Sequence, residues 1–339
     1  YYKIYYYISN LINNHLILDK PYWYLLGVQM EINIFDNVEF PVISAPMFLA
    51  SGVDLVVACC ANGIIGSFPA LNQRTTEGFE EWLVQINSKL NQLNCRQRTF
   101  GVNLIVHKSN PRVDTDLAMC IKYEVPLLLT SLGAAKEVID GVHSYGGKIF
   151  HDVINVRHAK KAMDAGVDGL VLVAAGAGGH GGLANPFALL SEVRSFFDGY
   201  IALAGSLTNG AHVASARAAG ADFAYIGTRF IATDEAYADQ SNKQMIVEST
   251  LQDIVYTNAF SGVYGNFLRQ SILDAGLDPD NLPDKEINFG KDLNPDKHAW
   301  KNIWSAGHGV SDIDNILPTA ELIAKMKAEY QAAVARVTA

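Results

Sequence analysis

The chain has 339 residues, of which 49% belong to the apolar set AVILMFWYC and 18% are charged. That excludes a disordered chain and allows either one large core or two domains, since an α/β barrel of about 250 residues is a single domain. With 26 Lys and Arg against 35 Asp and Glu, the net charge is −9, and no basic run marks a nucleic-acid binder. The 28 Gly are unevenly spread and gather at a few late positions.

Residues 1–29 are rich in Tyr, Ile and Asn and hold seven of the 15 Tyr. They lack a charged start, a clean apolar stretch and a small-residue cleavage site, so they make a poor signal peptide. Asn and His interrupt the run, which makes it a poor membrane span. Patterned sequence begins at Met30, and residues 1–29 read as an extension, with a membrane-surface anchor as the rival reading. Cys59, Cys60, Cys95 and Cys120 show no metal-ligand spacing and read as small buried hydrophobes in a reducing, cytoplasmic setting.

From about residue 40 the pattern becomes regular. β-Branched runs at 42–46, 64–68, 99–106, 125–130, 147–153, 168–174, 200–204 and 222–227 read as strands. Helical stretches lie between them, near 53–62, 76–91, 113–123, 134–144, 155–165, 185–197 and 209–219. Two junctions repeat one device: Gly166 and Gly220 end helices, and Asp168 and Asp222 open the next strands. Eight βα units with right-handed crossovers predict a (β/α)8 TIM barrel over 30–233 plus 303–339; the alternative is a doubly wound sheet. Residues 234–302 read as a helical cap on the catalytic face, and 318–337 as a closing helix.

Function in a barrel lies on the loops after the strands. Gly205 and Ser206 follow the seventh run, and Gly227 and Thr228 the eighth. These are the positions where barrels bind a phosphate through backbone N–H groups. The loop after the sixth run, Gly176 to Gly182, sets five Gly around His180. It contains GxGxxG, but no acid ends the next strand, so a dinucleotide fingerprint is discounted. The glycines let backbone approach a flat ligand, and His180 is the acid/base candidate. His151 and His308 are weaker candidates. No HExxH, GxSxG or complete GxxxxGK[ST] is present, and no metal is expected.

The elements PVISAPM, FGVNLIV, VRHAKKAMDAGVDGLVLVAAGAGGHGG, ALAGSLTNG, YIGTRF and IWSAGHGV together resemble the nitronate monooxygenase (2-nitropropane dioxygenase) family, from about Pro41 to Gly309. The resemblance implies an FMN-dependent barrel with the flavin at its C-terminal mouth. Ala45, Pro46 and Met47 would lie along the flavin, with Asn103 hydrogen-bonded to it. Gly178 and Gly179 would touch it, with His151 and Ala177 alongside. Gly205, Ser206, Gly227 and Thr228 would hold its phosphate. His180 matches the catalytic His, and Ser305 and His308 would face the substrate. Asp152 departs from a flavin-contacting Lys of some relatives, and Ser206 from a second Gly.

The implied reaction is oxidation of alkyl nitronates by O2 to a carbonyl compound and nitrite. His180 would act as a neutral base toward a nitroalkane or as an imidazolium pairing with a nitronate. The alternatives are an NAD(P)H-dependent flavin reductase acting on a quinone or enoyl thioester, and a non-catalytic barrel binding a phosphate ligand. The expected partners are a small-molecule substrate and O2, with neither nucleic acid nor membrane; the sequence is compatible with a homodimer.

Overall fold

A computed structural model describes residues 33–133, 135–285 and 302–339. The expected extension at 1–29, and 286–301 of the expected cap, lie outside the described residues.

Eight parallel strands alternate with helices. In chain order they begin with β1 (Val42–Ser44), α1 (Val53–Ala61), β2 (Ser67–Pro69), α2 (Thr76–Gln92), β3 (Gly101–Ile105), α3 (Val113–Lys122), β4 (Leu127–Ser131) and α4 (Lys136–His143). Next come β5 (Lys148–Val153), α5 (Val156–Ala165), β6 (Gly169–Val173), a two-residue strand β7 (Gly179–His180) and α6 (Pro186–Arg194). The series ends with β8 (Tyr200–Ala204), α7 (Gly210–Ala218) and β9 (Phe223–Ile226). The large sheet runs β1-β9-β8-β6-β5-β4-β3-β2. Its two ends meet just before β2, where Ser44 N donates to Ile65 O at 2.8 Å and Ile65 N to Val42 O at 3.0 Å. The sheet is thereby a TIM barrel.

Side chains alternate between two cores, as the pleat requires. Ile149, Val153, Leu170, Leu172, Ile201 and Leu203 face outward into one cluster with helix residues such as Val138, Ala159 and Leu189. Phe150 points inward at the N-terminal end of the barrel. There it stacks on Tyr200, with centroids 5.8 Å apart, and tilts against Phe223 at 6.3 Å. The floor of the barrel is therefore an aromatic plug.

The repeated Gly–x–Asp device has a structural use. Gly166 caps α5 at φ 94°, and Gly220 follows α7 at φ 105°. Asp168 then accepts the Ile149 amide at 2.9 Å, and Asp222 accepts the Ile201 amide at 2.8 Å. Each carboxylate satisfies the first free N–H of the neighbouring strand.

After β9 the chain forms α8 (Thr228–Ile231), α9 (Gln240–Glu248), β10 (Ile254–Thr257), β11 (Gly265–Leu268) and α10 (Arg269–Asp274). The excursion is thus not wholly helical, as expected, but carries an antiparallel sheet β10-β11-β7. The run IVYT has strand propensity, but the pairing that fixes it comes from the distant glycine loop. The chain returns through a 3-10 turn (His308–Asp312) to α11 (Thr319–Thr338). Leu322, Ile323 and Met326 of α11 pack with Leu55, Cys59 and Val213. Gly210 is needed there, because a Cβ would lie 1.9 Å from Met326 O. Among the described residues no helix is long and apolar enough to cross a membrane.

Replacing Asp168 by Ala would leave the Ile149 amide buried without an acceptor. The expected cost is about 1–3 kcal/mol, read as a lower urea midpoint with an unchanged slope.

Candidate active site

The loop after β1 is clamped rather than loose. The buried Asn72 donates to Met47 O at 3.0 Å and to Ser51 O at 2.8 Å, and accepts the Leu49 amide at 2.9 Å. Ser51 Oγ accepts from Met47 N at 2.9 Å. These bonds hold Leu49 at φ 55°, a left-handed conformation that a Leu adopts only when its surroundings impose it. Ala45, Pro46 and Met47 are thereby fixed at the mouth. Ala45 and Met47 flank Gly227, where an added Cβ would sit 3.7 Å from each.

Inside the upper barrel, Asn103, Ser131 and Asp152 form a directed chain from β3 to β5. Asn103 Nδ2 donates to Ser131 Oγ at 2.8 Å, and Ser131 Oγ donates to Asp152 Oδ2 at 2.6 Å. Asp152 Oδ1 is buried and has no hydrogen-bond partner among the described residues. Burial raises the Asp152 pKa to about 6, against the Ser131 hydrogen bond, which lowers it. Burial, with the Asp152 charge adding to it, holds the Tyr225 phenol well above its usual value. The sequence flagged Asp152 only as a departure; its place beside Ser131 required the register of β4 on β5.

Strand parity moves His151 away from the mouth. Phe150 and Asp152 face inward, so His151 faces outward, where Nδ1 lies 2.8 Å from Thr130 Oγ1. Burial first, then the charges of His158 and Lys161 of α5, push its pKa down to about 4. The expected place of His151 beside the cofactor is corrected on this ground: its ring is in the helix layer.

The loops after β6, β8 and β9 converge. Gly205 has φ 124°, and a Cβ there would lie 2.6 Å from Ala175 O. Ser206 adopts φ 58° and donates its N–H to Gly176 O at 3.3 Å. The amides of Gly205, Gly227 and Thr228 make no hydrogen bond among the described residues. Thr228 Oγ1 accepts from Gly307 N at 2.9 Å, and His308 N donates to Gly176 O at 2.9 Å. The returning segment thus closes over the same loops. His308 is exposed and packs its Cβ over Gly176, while Ser305 bridges to Phe267 and stands 4.0 Å from the Cβ position of Gly179.

Free amides on adjacent strand ends fit a phosphate. Gly178 is exposed, and a Cβ on Gly179 would meet nothing nearer than 4.0 Å, which fits the approach of a flat ring. The residues present therefore fit a flat ligand that carries a phosphate, as a flavin mononucleotide does. Ala177 serves differently: its carbonyl accepts from the buried Asn266 at 2.7 Å, so it anchors the loop.

The excursion holds the glycine loop along its length. Gly265 pairs with His180 and Asn266 with Gly179. Tyr256 donates its hydroxyl to Gly181 O at 3.0 Å, and Gly181 N donates to Tyr264 O at 3.3 Å. His180 Nε2 lies 2.7 Å from Ser261 Oγ. The residue is exposed at the mouth, and desolvation by the surrounding loops lowers its pKa to about 4. His180 is therefore neutral at pH 7. Ser261 and Asn266 carried no signal in the sequence, because nothing near them in the chain pointed to the loop some 80 residues earlier.

Asp152 gives a stability test. Its folded pKa lies above the unfolded value, so the folded state binds the proton more tightly. Stability is full below about pH 3.8 and declines as pH rises through about 6. Asp152→Asn in the flavin-free protein is expected to be neutral at pH 4 and to stabilise by about 1–3 kcal/mol at pH 7.5, read from urea midpoints.

A family model described as nitronate monooxygenase matches residues 71–329. A nitronate monooxygenase of Paraburkholderia phytofirmans is 26% identical over 215 residues, covering 58% of this chain and 58% of that one. A 5-hydroxy-7a-methyl-1-oxo-octahydro-1H-indene-4-carboxyl-CoA dehydrogenase of Rhodococcus jostii is 26% identical over 239 residues, covering 70% and 65%. Each match spans less than two thirds of the relative's own length. Among solved structures, a nitroalkane oxidase from Streptomyces ansochromogenes superimposes with TM-score 0.75 at 22% identity, covering 90% of this chain and 99% of that one. FabK from Thermotoga maritima gives TM-score 0.73 at 21% identity, covering 92% and 99%. At these identities the structural likeness is one of fold. The family model covers well over half of the sequence, and the chain belongs to the nitronate monooxygenase family.

Proposed function

We propose that this protein oxidises alkyl nitronates, and nitroalkanes after removal of their α-proton, with FMN as cofactor and O2 as oxidant, to a carbonyl compound and nitrite. The observation that carries the reading is His180, exposed in a glycine-lined mouth with its Nε2 held 2.7 Å from Ser261 Oγ. Family membership supports the reaction class. When bound, FMN supplies the electron-accepting ring.

The chain's own residues do the rest. Ala45, Met47, Gly178 and Gly179 border the place of the ring, and the amides of Gly205, Gly227 and Thr228 receive the phosphate. The two roles left open for His180 by the sequence are not equally served. With its pKa lowered to about 4, the ring is a base for the α-proton rather than a standing cation for a nitronate. The mouth also exposes apolar side chains, among them Phe48 at 57% and Leu183 at 76%, which suit the alkyl part of such a substrate.

His180→Asn is expected to keep FMN and to lower nitroalkane oxidation by about 100-fold or more in a nitrite assay. Full retained rate would refute the base role. For the wild type, kcat/KM with a nitroalkane is expected to stay level from pH 5 to 8, because the base ionises only near 4; a limb near 6.5 would contradict this. Anaerobic mixing with NADH or NADPH separates the reductase alternative, which requires rapid bleaching of the flavin. A yellow purified protein with a flavin spectrum counts against the non-catalytic one.

A further inference from the structure

We infer that Ser261 is a positioning residue for His180, fixing the ring as the Nε2–H tautomer so that Nδ1 is the proton-accepting atom. The inference rests on the base role proposed above, and its argument is one of hydrogen-bond directions.

Ser261 is 3% exposed and sits in a tight turn with Gly262 at φ 74°. Its Oγ has three polar neighbours: His180 Nε2 at 2.7 Å, Val263 O at 2.8 Å and Val263 N at 3.2 Å. A hydroxyl has one proton and two lone pairs. Val263 N–H can only donate, so it takes one lone pair. Val263 O can only accept, so it needs the hydroxyl proton. The remaining lone pair then faces Nε2, which must carry a hydrogen. The opposite arrangement would point the proton at Nε2 and leave two acceptors, Oγ and Val263 O, facing each other at 2.8 Å. A part-buried carbonyl left without its donor, facing a second acceptor, is costly.

With Nε2 committed as a donor, the lone pair of the neutral ring lies on Nδ1, which makes no hydrogen bond among the described residues. The hydrogen bond on one ring nitrogen sets the chemistry of the other. The turn also explains why the base needs the excursion. Ser261 lies 81 residues from His180 in sequence, just before β11, whose Gly265 pairs with His180. Pairing therefore brings the hydroxyl and the ring into register together.

The test combines a spectroscopic and a kinetic readout on the flavin-loaded protein. With 15N-labelled histidine, His180 (assigned through its loss in His180→Asn) is expected to show a protonated Nε2 and a pyridine-type Nδ1 at pH 7. A protonated Nδ1 would overturn the inference. Ser261→Ala is expected to mix the tautomers and to lower kcat/KM for a neutral nitroalkane about 10- to 100-fold. The rate with preformed nitronate, which has no α-proton to lose, should stay within about twofold, and Ser261→Thr, which keeps the hydroxyl, should restore the nitroalkane rate. An equal loss with both substrates, or no loss with either, would also overturn it. If the wild type oxidises neither substrate, the proposed reaction fails, while the tautomer measurement still decides the role of Ser261.

Discussion

The mouth of this barrel depends on the closure of its sheet between Val42–Ser44 and Ile65. A parallel strand left at an open edge would expose a row of unpaired amides and carbonyls. The two bonds that Ile65 makes with Val42 and Ser44 remove that edge. The loop after β1 is set beside the loop after β9 by the parallel pairing of those two strands, continued by Ala45 N to Ile226 O at 2.9 Å, and so Met47 comes to lie against Gly227. Parallel closure sets all the strand C-termini on one rim. The aromatic plug of Phe150, Tyr200 and Phe223 blocks the other end, so a ligand has a single way in.

The glycines of the sixth loop solve one problem and create another. They let three segments of backbone meet: a Cβ on Gly178 would lie 2.9 Å from Gly307 N and 3.1 Å from Thr228 Oγ1. Yet so many glycines also leave the loop with high conformational entropy to lose. The structure offsets this with hydrogen bonds from outside the barrel. Asn266, Tyr256 and the pairing with β11 hold successive residues from Ala177 to Gly181. Without them, His180 would be a side chain on a loose loop.

Much of this was legible from residue order. The eight strand runs, the glycine caps before Asp168 and Asp222, the glycine cluster around His180 and the Gly–Ser and Gly–Thr pairs all carry local signals that the fold uses where expected. What was not legible depends on parity or on distance. His151 and Asp152 are neighbours in sequence, and only the pleat decides that one faces α5 and the other the barrel interior. β10 and β11 are four residues each and owe their pairing to a remote loop, so a helical reading of that region was the natural one. Asn72 and Ser261 are single polar residues in unremarkable surroundings; each earns its position through a loop elsewhere in the chain.

That arrangement has a consequence for the order in which the molecule matures. The last barrel strand ends at Ile226, but the strand that pairs with the base runs from Gly265 to Leu268. The scaffold and the contacts that hold His180 are therefore separate along the nascent chain. All eight barrel strands can be present while His180 still lacks its partner. Bringing Ser261 to it closes a loop of 81 residues, a non-local contact of the kind that forms late in folding. The contacts that fix His180 thus depend on chain that follows the whole set of barrel strands.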